Sequence, residues 1–442
     1  MKKNFSRMLA GLCSLALCIG MMGCSNSTQN STSSAVSTAQ TDDLKAELRM
    51  SWWGGDARHE ATLAALDEFS KMHPDIQVAA EYQGYDGYHD KMFTQLVGGT
   101  APDLFQYDPQ SLPEAVRGGK VLSLNEYIEN GMLNVDNIPA GALSATTIDG
   151  EIYGIPMSTQ TICTIYNKTL FDKAGVEYPE DDWTWDDYDR IIHELAEKLP
   201  EGVYASTDLR VHDKGLLSMV HQDGGRYMNE DGTVGFEESI VEPLERFQKY
   251  MEDGLIPPVE LSVSKTDNDI FTEGKAAIHM NFNAMATSLQ ASSTDQDEYA
   301  LTSVPSSNTG DRLGMYVKGE IAFCISADSP NKEAAIVLLN EFINNPEMAK
   351  ILGLSRGIPP SSEMQTLLSE DTSGLNKEIF DVQKMAEESK DVPEILATPG
   401  YAQVLEVIRQ ETDEYRYGNK DVKTAVEDMV ERANKEIKDA QG

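Results

Sequence analysis

The sequence predicts an α/β fold, in which β-strands alternate with α-helices along most of the chain. Residues 48–78 carry the clearest unit of this kind, a strand, a helix and a second strand. Leu48, Met50 and Trp52 alternate with polar residues, as in a half-buried strand, and Gly54-Gly55 then interrupts the pattern. A strand, helix and strand in succession imply two parallel strands with a right-handed crossover, which is the beginning of an open α/β sheet.

The helix of this unit is predicted from Asp56, its expected N-cap, to the sequence His73-Pro74-Asp75. Ligands of open α/β sheets bind outside the carboxyl ends of the strands. Trp53, Asp56 and Arg58 therefore become candidate binding residues. We assign Trp52 to packing, because it shares a strand face with core-facing residues. The residues expected on the buried helix face are Thr62, Ala65, Leu66, Phe69 and Met72.

The next segments place further candidates at the same edge of the sheet. An aromatic, Gly-rich loop over residues 82–88 contains Tyr85 and is followed by a predicted helix over 88–97. The apolar strand 104–107 ends in Tyr107 and Asp108, so both lie at a carboxyl end. Asp149-Gly150 is typical of a hairpin turn, and residues 162–166 form an apolar strand.

The second half of the chain continues the alternation of strands and helices. Amphipathic patterns predict four helices, and a short apolar run after Gly274 predicts a strand. Residues 229–232 are interpreted as a hairpin turn, in preference to a calcium loop. The helices are predicted over 186–199, 242–251, 332–343 and 422–437, and the strand over 276–280.

The amino terminus follows the pattern of a secretory signal. Lys2, Lys3 and Arg7 precede the apolar run 8–22, which is shorter than the roughly 20 residues of a membrane span. The sequence MMGC at 21–24 resembles a bacterial lipobox, which implies cleavage before Cys24 and a lipid on that cysteine. Residues 24–43, rich in Ser and Thr, are predicted to be a flexible tether. We therefore expect an extracytoplasmic protein anchored to the outer face of the cell membrane.

The composition limits the remaining function classes. The formal charge of −37 excludes nucleic acid as a partner, since phosphate binding needs a basic surface. Only Cys163 and Cys324 remain after the lipobox, each in an apolar run, and they are expected to be buried rather than paired. No metal or cofactor motif is found, so none is expected. Patterns typical of phosphate loops, zinc proteases and serine hydrolases are incomplete or missing.

Several segments together resemble the extracellular solute-binding proteins of ABC importers, specifically the large sugar-binding family that includes maltose-binding protein. They occur in the order typical of that family and cover nearly all of residues 44–435. The segments are GGTAPDLFQYD (98–108), DGEIYGIPMSTQTICTIYNKTLFDKAG (149–175), WTWDDY (183–188), FTEGKAAIHMNFN (271–283), ISADSPNKEAAIVLLNEFI (325–343) and SRGIPPSS (355–362).

The resemblance implies a periplasmic-binding-protein fold of type II, with two α/β lobes, each a sheet flanked by helices, joined by a hinge that the chain crosses three times. The signal peptide would end at residue 23. The first lobe would hold residues 44–157 and 300–355, and the second lobe 158–299 and 356–442. It also implies a monomer that delivers its ligand to the transmembrane subunits of an ABC permease and is not itself an enzyme.

The expected ligand is an oligosaccharide, because sugar rings stack on aromatic side chains while their hydroxyls need fixed polar partners. A neutral oligosaccharide is the first expectation. A uronic-acid oligosaccharide is the alternative, suggested by Arg58, His59, His212 and Arg356. A surface carbohydrate hydrolase or an adhesin is less favoured. The predicted ligand-binding residues at the strand ends and the aromatic loop are Trp53, Asp56, Arg58, Tyr85, Tyr107 and Asp108. The resemblance implies further ligand-binding residues, which are His212, Gly225, Phe282, Asn283, Arg356 and Tyr401.

Overall fold

Strands and helices alternate along the chain, as the sequence predicts. The computed structural model describes residues 44–210, 213–229, 232–307, 314–389 and 400–441. These residues belong to one compact unit. The predicted signal peptide, the tether with Cys24, and His212 lie outside the described residues. None of the helices in the described part of the chain combines the length and hydropathy that a membrane-spanning helix requires.

Twelve strands are present in the described residues. Their bounds are β1 Ala46–Trp53, β2 Ile76–Gln83, β3 Leu104–Tyr107, β4 Thr147–Ile148, β5 Glu151–Ile152, β6 Ile155–Asn167, β7 Tyr204–Ser206, β8 Arg226–Met228, β9 Val234–Gly235, β10 Ala276–Phe282, β11 Tyr299–Thr302 and β12 Val317–Ile325.

The helices are mostly short and lie between the strands. Their bounds are α1 Asp56–Met72, α2 Tyr88–Val97, α3 Leu112–Arg117, α4 Asn125–Glu129, α5 Ala140–Ser144, α6 Lys168–Ala174, α7 Trp185–Lys198, α8 Asp213–Gln222, α9 Val241–Glu252, α10 Val259–Ser264, α11 Asp267–Thr272, α12 Ala286–Ala291, α13 Lys332–Asn344, α14 Pro346–Leu352, α15 Ser362–Ser369, α16 Leu375–Ser389, α17 Tyr401–Arg416 and α18 Val422–Gln441.

The β1, α1 and β2 unit has the predicted parallel arrangement, with Leu48 opposite Val78. The N-cap prediction is wrong, because Gly55 is the N-cap and Asp56 is the first helical residue, without a capping hydrogen bond. A carboxylate in the first turn still interacts favourably with the amino-terminal end of the helix dipole. Trp52 is fully buried, as predicted.

The main sheet has the strand order β2-β1-β3-β12-β6-β10-β7, and β11 pairs with β6. β1 is parallel to both of its neighbours, whereas β12 runs antiparallel to β3 and to β6. β12 therefore enters the sheet from a much later part of the chain than the strands beside it. This late strand separates the early parallel strands from β6.

β6 changes its partners along its length. Residues from Ile155 to Thr161 face β12, and residues from Ile162 onward pair with β10 and β11. One strand thus belongs to two groups of strands, and the change falls between Thr161 and Ile162. β11 lies wholly with the second group, since it pairs with residues from Thr164 to Asn167.

Other predictions from the sequence pattern are confirmed. Asp149 and Gly150 both have positive φ, at 52° and 81°, in the hairpin between β4 and β5. β8 and β9 pair across the turn that begins at Asn229. Cys163 and Cys324 are free thiols with no exposed surface, and burial raises the pKa of each thiol far above its ordinary value.

Candidate functional site

An aromatic wall forms where β1 and β3 end and α2 begins. We define it as Trp53, Tyr85, Tyr88, His89 and Tyr107. The ring centroids of Trp53 lie 5.7 Å from Tyr85, 5.1 Å from Tyr88 and 5.1 Å from His89. The ring centroids of His89 and Tyr107 are 5.5 Å apart. Three of the predicted site residues are therefore brought together, because parallel strands end at the same edge of a sheet.

The rings of the aromatic wall differ sharply in exposure. Trp53 is 6% exposed and Tyr107 is 2% exposed, whereas Tyr85 is 56% exposed. Burial raises the pKa of the Tyr107 hydroxyl to about 12. Tyr85 therefore offers the accessible ring of this wall, and Trp53 supports it from behind with an edge contact.

Asp108 connects the exposed ring to the histidine. Its Oδ2 accepts a hydrogen bond from the Tyr85 hydroxyl at 3.1 Å and lies 2.7 Å from Nε2 of His89. The negative charge of Asp108, with some burial, raises the pKa of the Tyr85 hydroxyl. Tyr85 is thus held as a neutral donor at the surface, and Asp108 is held at the end of β3.

A cavity of about 180 Å³ lies against the exposed side of Tyr85 and Asp108. Its remaining surface comes largely from β12. The volume corresponds to about six water molecules at roughly 30 Å³ each, which is room for a small polar group or one sugar ring. The lining residues are Tyr85, Asp108, Pro109, Gln110, Ala145, Lys318, Gly319 and Glu320.

Two charged side chains of β12 face this cavity and were not predicted from the sequence. Lys318 Nζ lies 2.7 Å from Glu320 Oε1, which also accepts a hydrogen bond from Gln160 Nε2 at 2.8 Å. The Lys318 ammonium lies 5.4 Å from the centroid of the Phe282 ring. Phe282, a predicted site residue, therefore contacts a lining residue of the cavity, Lys318, without lining the cavity itself. The signal in the sequence was a pair of charged residues flanking Gly319 in an otherwise apolar strand.

The backbone of β12 is unusual at the cavity. A Cβ atom at Gly319 would overlap the backbone oxygen of Ala142 and lie 2.7 Å from Cγ of Pro156. Ile321 has a φ of 43°, which is rare for a β-branched residue and costs conformational energy. Only a glycine allows β12 to lie this close to its neighbours, and this close fit positions Lys318 and Glu320.

Arg58 and Arg356 lie near one another but outside the lining of the cavity. Arg58 donates to the backbone oxygens of Trp53 and Ser355, each at 3.2 Å. Arg356 is 6% exposed, and its Nη2 donates to Thr62 Oγ1 at 2.7 Å. Burial, and then the charge of Arg58, lower the pKa of Arg356 to about 9. Both guanidinium groups donate to oxygens of the protein, and the buried Arg356 Nε has no hydrogen-bond partner among the described residues.

Asn283 has no exposed surface and is fully hydrogen bonded. Its Oδ1 accepts from the backbone N–H of Thr161 and of Ala284. Its Nδ2 donates to the Ile379 backbone oxygen and to Gln383 Oε1. Asn283 therefore joins β6, the end of β10 and α16 at the point where β6 changes partners, instead of presenting its amide to the cavity.

The other predicted residues are not brought together at the cavity. Asp56 is exposed at the start of α1. Gly225 packs closely against Ser239, since an added Cβ would overlap that hydroxyl. Tyr401 is the first residue of α17, and its side chain lies outside what the structure describes. No group of three or more His, Cys, Asp or Glu side chains in the described residues has the arrangement of a metal site.

The sequence also matches a known family, the bacterial extracellular solute-binding proteins, over residues 56–349. The chain belongs to this family. A galactooligosaccharide-binding protein of Bacillus subtilis is 22% identical to this solute-binding protein over 410 residues, which are 91% of this chain and 92% of the relative.

Solved structures agree with the family assignment of this solute-binding protein. A family 1 solute-binding protein from Alicyclobacillus acidocaldarius superposes with a TM-score of 0.75 and 25% identity, covering 89% of this chain and 98% of that one. A periplasmic oligogalacturonide-binding protein from Yersinia enterocolitica gives a TM-score of 0.76 and 26% identity, covering 90% and 100%. The predicted fold class is confirmed.

Proposed function

We propose that this protein is an extracytoplasmic carbohydrate receptor that captures an oligosaccharide and delivers it to an ABC importer. The cavity between Tyr85 and the charged end of β12 is its binding site. The observation that carries the proposal is an exposed aromatic ring beside two carboxylates and an ammonium group in one cavity. This combination suits a sugar, whose faces are apolar and whose rim consists of hydroxyls.

The names of the relatives support a saccharide ligand. One relative is a galactooligosaccharide-binding protein, and one structural neighbour is an oligogalacturonide-binding protein. The first name denotes a neutral saccharide and the second an acidic one. Both expectations from the sequence analysis, the neutral ligand and the uronic-acid ligand, therefore have a counterpart among known proteins.

We also propose that residues 44–157 and 300–355 move as one lobe against residues 158–299 and 356–442. The partner change within β6 supports a hinge in that strand. Sugar binding between the lobes would stabilise a closed arrangement, which the permease would recognise. The lipid on Cys24 would keep the receptor at the membrane. The receptor would act as a monomer. No chemical step is assigned to the protein.

A thermal-shift panel of neutral and acidic oligosaccharides tests the carbohydrate proposal. A ligand present at 100 times its Kd adds about 2.7 kcal/mol to the free energy of unfolding. Tyr85→Ala should abolish the shift, whereas Tyr417→Ala, which removes another tyrosine of similar exposure, should leave it unchanged. A panel in which no saccharide raises the melting temperature would refute the proposal. Release of shorter saccharides during incubation would instead favour a hydrolase.

A further inference from the structure

We propose that the cavity selects saccharides without negative charge, and that Asp108 and Glu320 are the residues that determine this specificity. The inference rests on the proposed carbohydrate-receptor function and narrows its ligand class. It is carried by the way in which the charged groups of the cavity are already partnered within the protein.

Asp108 and Glu320 each have one carboxylate oxygen that contacts other side chains of the protein. Asp108 Oδ2 contacts the Tyr85 hydroxyl and His89, and Glu320 Oε1 contacts Lys318 and Gln160. Asp108 Oδ1 and Glu320 Oε2 accept no hydrogen bond from another described residue. The two side chains are 29% and 34% exposed, so solvent or ligand reaches them. The cavity therefore offers two charged acceptor atoms.

The one cation in the lining of the cavity is already paired with a carboxylate. Lys318 is the only lysine or arginine among the lining residues in the described part of the chain, and it is 2.7 Å from Glu320. Its ammonium also lies over the Phe282 ring at 5.4 Å. Arg58 and Arg356, the residues that suggested a uronate, donate instead to protein oxygens. A ligand carboxylate would thus meet two carboxylates and one ammonium that is already paired.

Sugar hydroxyls fit this arrangement. A hydroxyl that donates to a carboxylate forms a charge-assisted hydrogen bond, which is shorter and stronger than a neutral one. Tyr85 is exposed beside Asp108 and can cover the apolar face of the same ring. A galacturonate ring presents hydroxyls as well, but its carboxylate adds repulsion that no free cation of the cavity offsets.

Isothermal titration calorimetry with a neutral galactooligosaccharide and an oligogalacturonide of equal length tests the inference. We expect the oligogalacturonide to bind about 100-fold more weakly at low salt, since like charges in one site cost several kcal/mol. The difference in affinity between the two saccharides should narrow as added salt screens the charges. Oligogalacturonide binding as tight as, or tighter than, that of the neutral ligand would overturn the inference while leaving the receptor function intact.

Two near-isosteric variants assign the effect to the named residues. Asp108→Asn and Glu320→Gln should each weaken neutral binding about tenfold through loss of a charge-assisted bond, and each should narrow the discrimination against oligogalacturonide. Glu347→Gln changes the net charge equally on exposed α14 and should change neither quantity. Unchanged discrimination in both cavity variants would overturn the assignment. Failure of every saccharide to bind wild-type protein would instead refute the receptor function itself.

Discussion

The carboxylate of Asp208 is buried between two guanidinium groups. Its side chain and those of Arg210 and Arg416 are at most 1% exposed. Asp208 Oδ2 lies 2.9 Å from Arg210 Nη2 and 3.1 Å from Arg416 Nε. Burial alone would raise the pKa of Asp208, but the two guanidinium charges outweigh it, and this pKa lies below its ordinary value. Asp208 is thus the carboxylate that Arg210 and Arg416 share, and Arg416 also lies 2.9 Å from Oδ1 of Asp413.

Asp208→Asn should lower the free energy of unfolding by about 3–5 kcal/mol, because it leaves the buried Arg210 without its carboxylate partner and Arg416 with Asp413 alone. Asp75→Asn, which breaks the exposed pair with Lys45, should change it by at most about 0.5 kcal/mol. Denaturant unfolding monitored by circular dichroism measures both. Equal effects of the two variants would contradict the role given to burial.

The difference in unfolding free energy between wild type and Asp208→Asn should depend on pH, and the sign of this dependence follows from the lowered pKa of Asp208. Because the folded pKa of Asp208 is lowered, its contribution is present above about pH 4, the ordinary value for aspartate, and is lost as the pH falls through the folded pKa. The difference between wild type and Asp208→Asn should therefore shrink below about pH 4. A difference that grows on acidification would contradict the lowered pKa.

The sequence predicted those site residues that follow from local pattern. Tyr85, Tyr107 and Asp108 lie at a loop or a strand end that periodicity identifies. Tyr85 and Asp108 line the cavity, whereas Tyr107 is buried in the aromatic wall. Lys318 and Glu320 were missed, because their place beside Asp108 depends on β12 pairing with β3 and β6, which no local pattern specifies. Asn283 was predicted at the site, yet its amide is used by partners distant in sequence.

At the scale of elements, the position of β12 depends on one glycine. Gly319 lies between Lys318 and Glu320, and its backbone contacts Ala142 and Pro156 too closely to admit a side chain. The neighbouring Ile321 is held at positive φ, so β12 carries strain that the surrounding packing sustains. The positions of Lys318 and Glu320 therefore depend on the backbone conformation of β12 on both sides of them.

Gly319→Ala should destabilise the protein by about 1–3 kcal/mol, the usual cost of overpacking, and should weaken sugar binding as Lys318 and Glu320 shift. Gly84→Ala is the matched control, since an added Cβ there meets no atom within 4 Å. Thermal unfolding and calorimetric titration measure the two effects. Wild-type stability in Gly319→Ala would show that β12 does not need this close contact.

The pattern of elements was the most predictable level of the structure. The parallel unit of β1, α1 and β2 followed from spacing alone, and α2 has the predicted bounds. The length of β6 was not predicted: only residues 162–166 were expected, whereas the strand spans Ile155–Asn167. Its first half includes Ser158, Thr159 and Thr161, polar residues that are buried by β12 and by distant loops.

At the scale of the whole molecule, the two groups of strands share β6. β12 lies against its first half, while β10 and β11 lie against its second half. Asn283 adds a buried hydrogen-bond network at the change of partner. A loss of order in one group therefore removes ladder hydrogen bonds and buried contacts from the other.

The described unit should consequently unfold in one cooperative step. Differential scanning calorimetry of the protein should show a single transition with a ratio of van't Hoff to calorimetric enthalpy of about 1. Proteins of this size often unfold domain by domain, which would give two transitions or a ratio well below 1. Either of those results would show that the two strand groups are independent despite the shared strand.

The late arrival of β12 also bears on how such a chain is exported. Leu104 pairs with Ile325, so the gap between β3 and β6 is filled only after about half of the polypeptide has followed β3. A chain that crosses a membrane amino terminus first cannot complete this sheet while Ile325 is still behind the pore. Non-local pairing of this kind is slow to form. The same topology therefore keeps the polypeptide unfolded, and able to pass through the pore, until most of it has emerged.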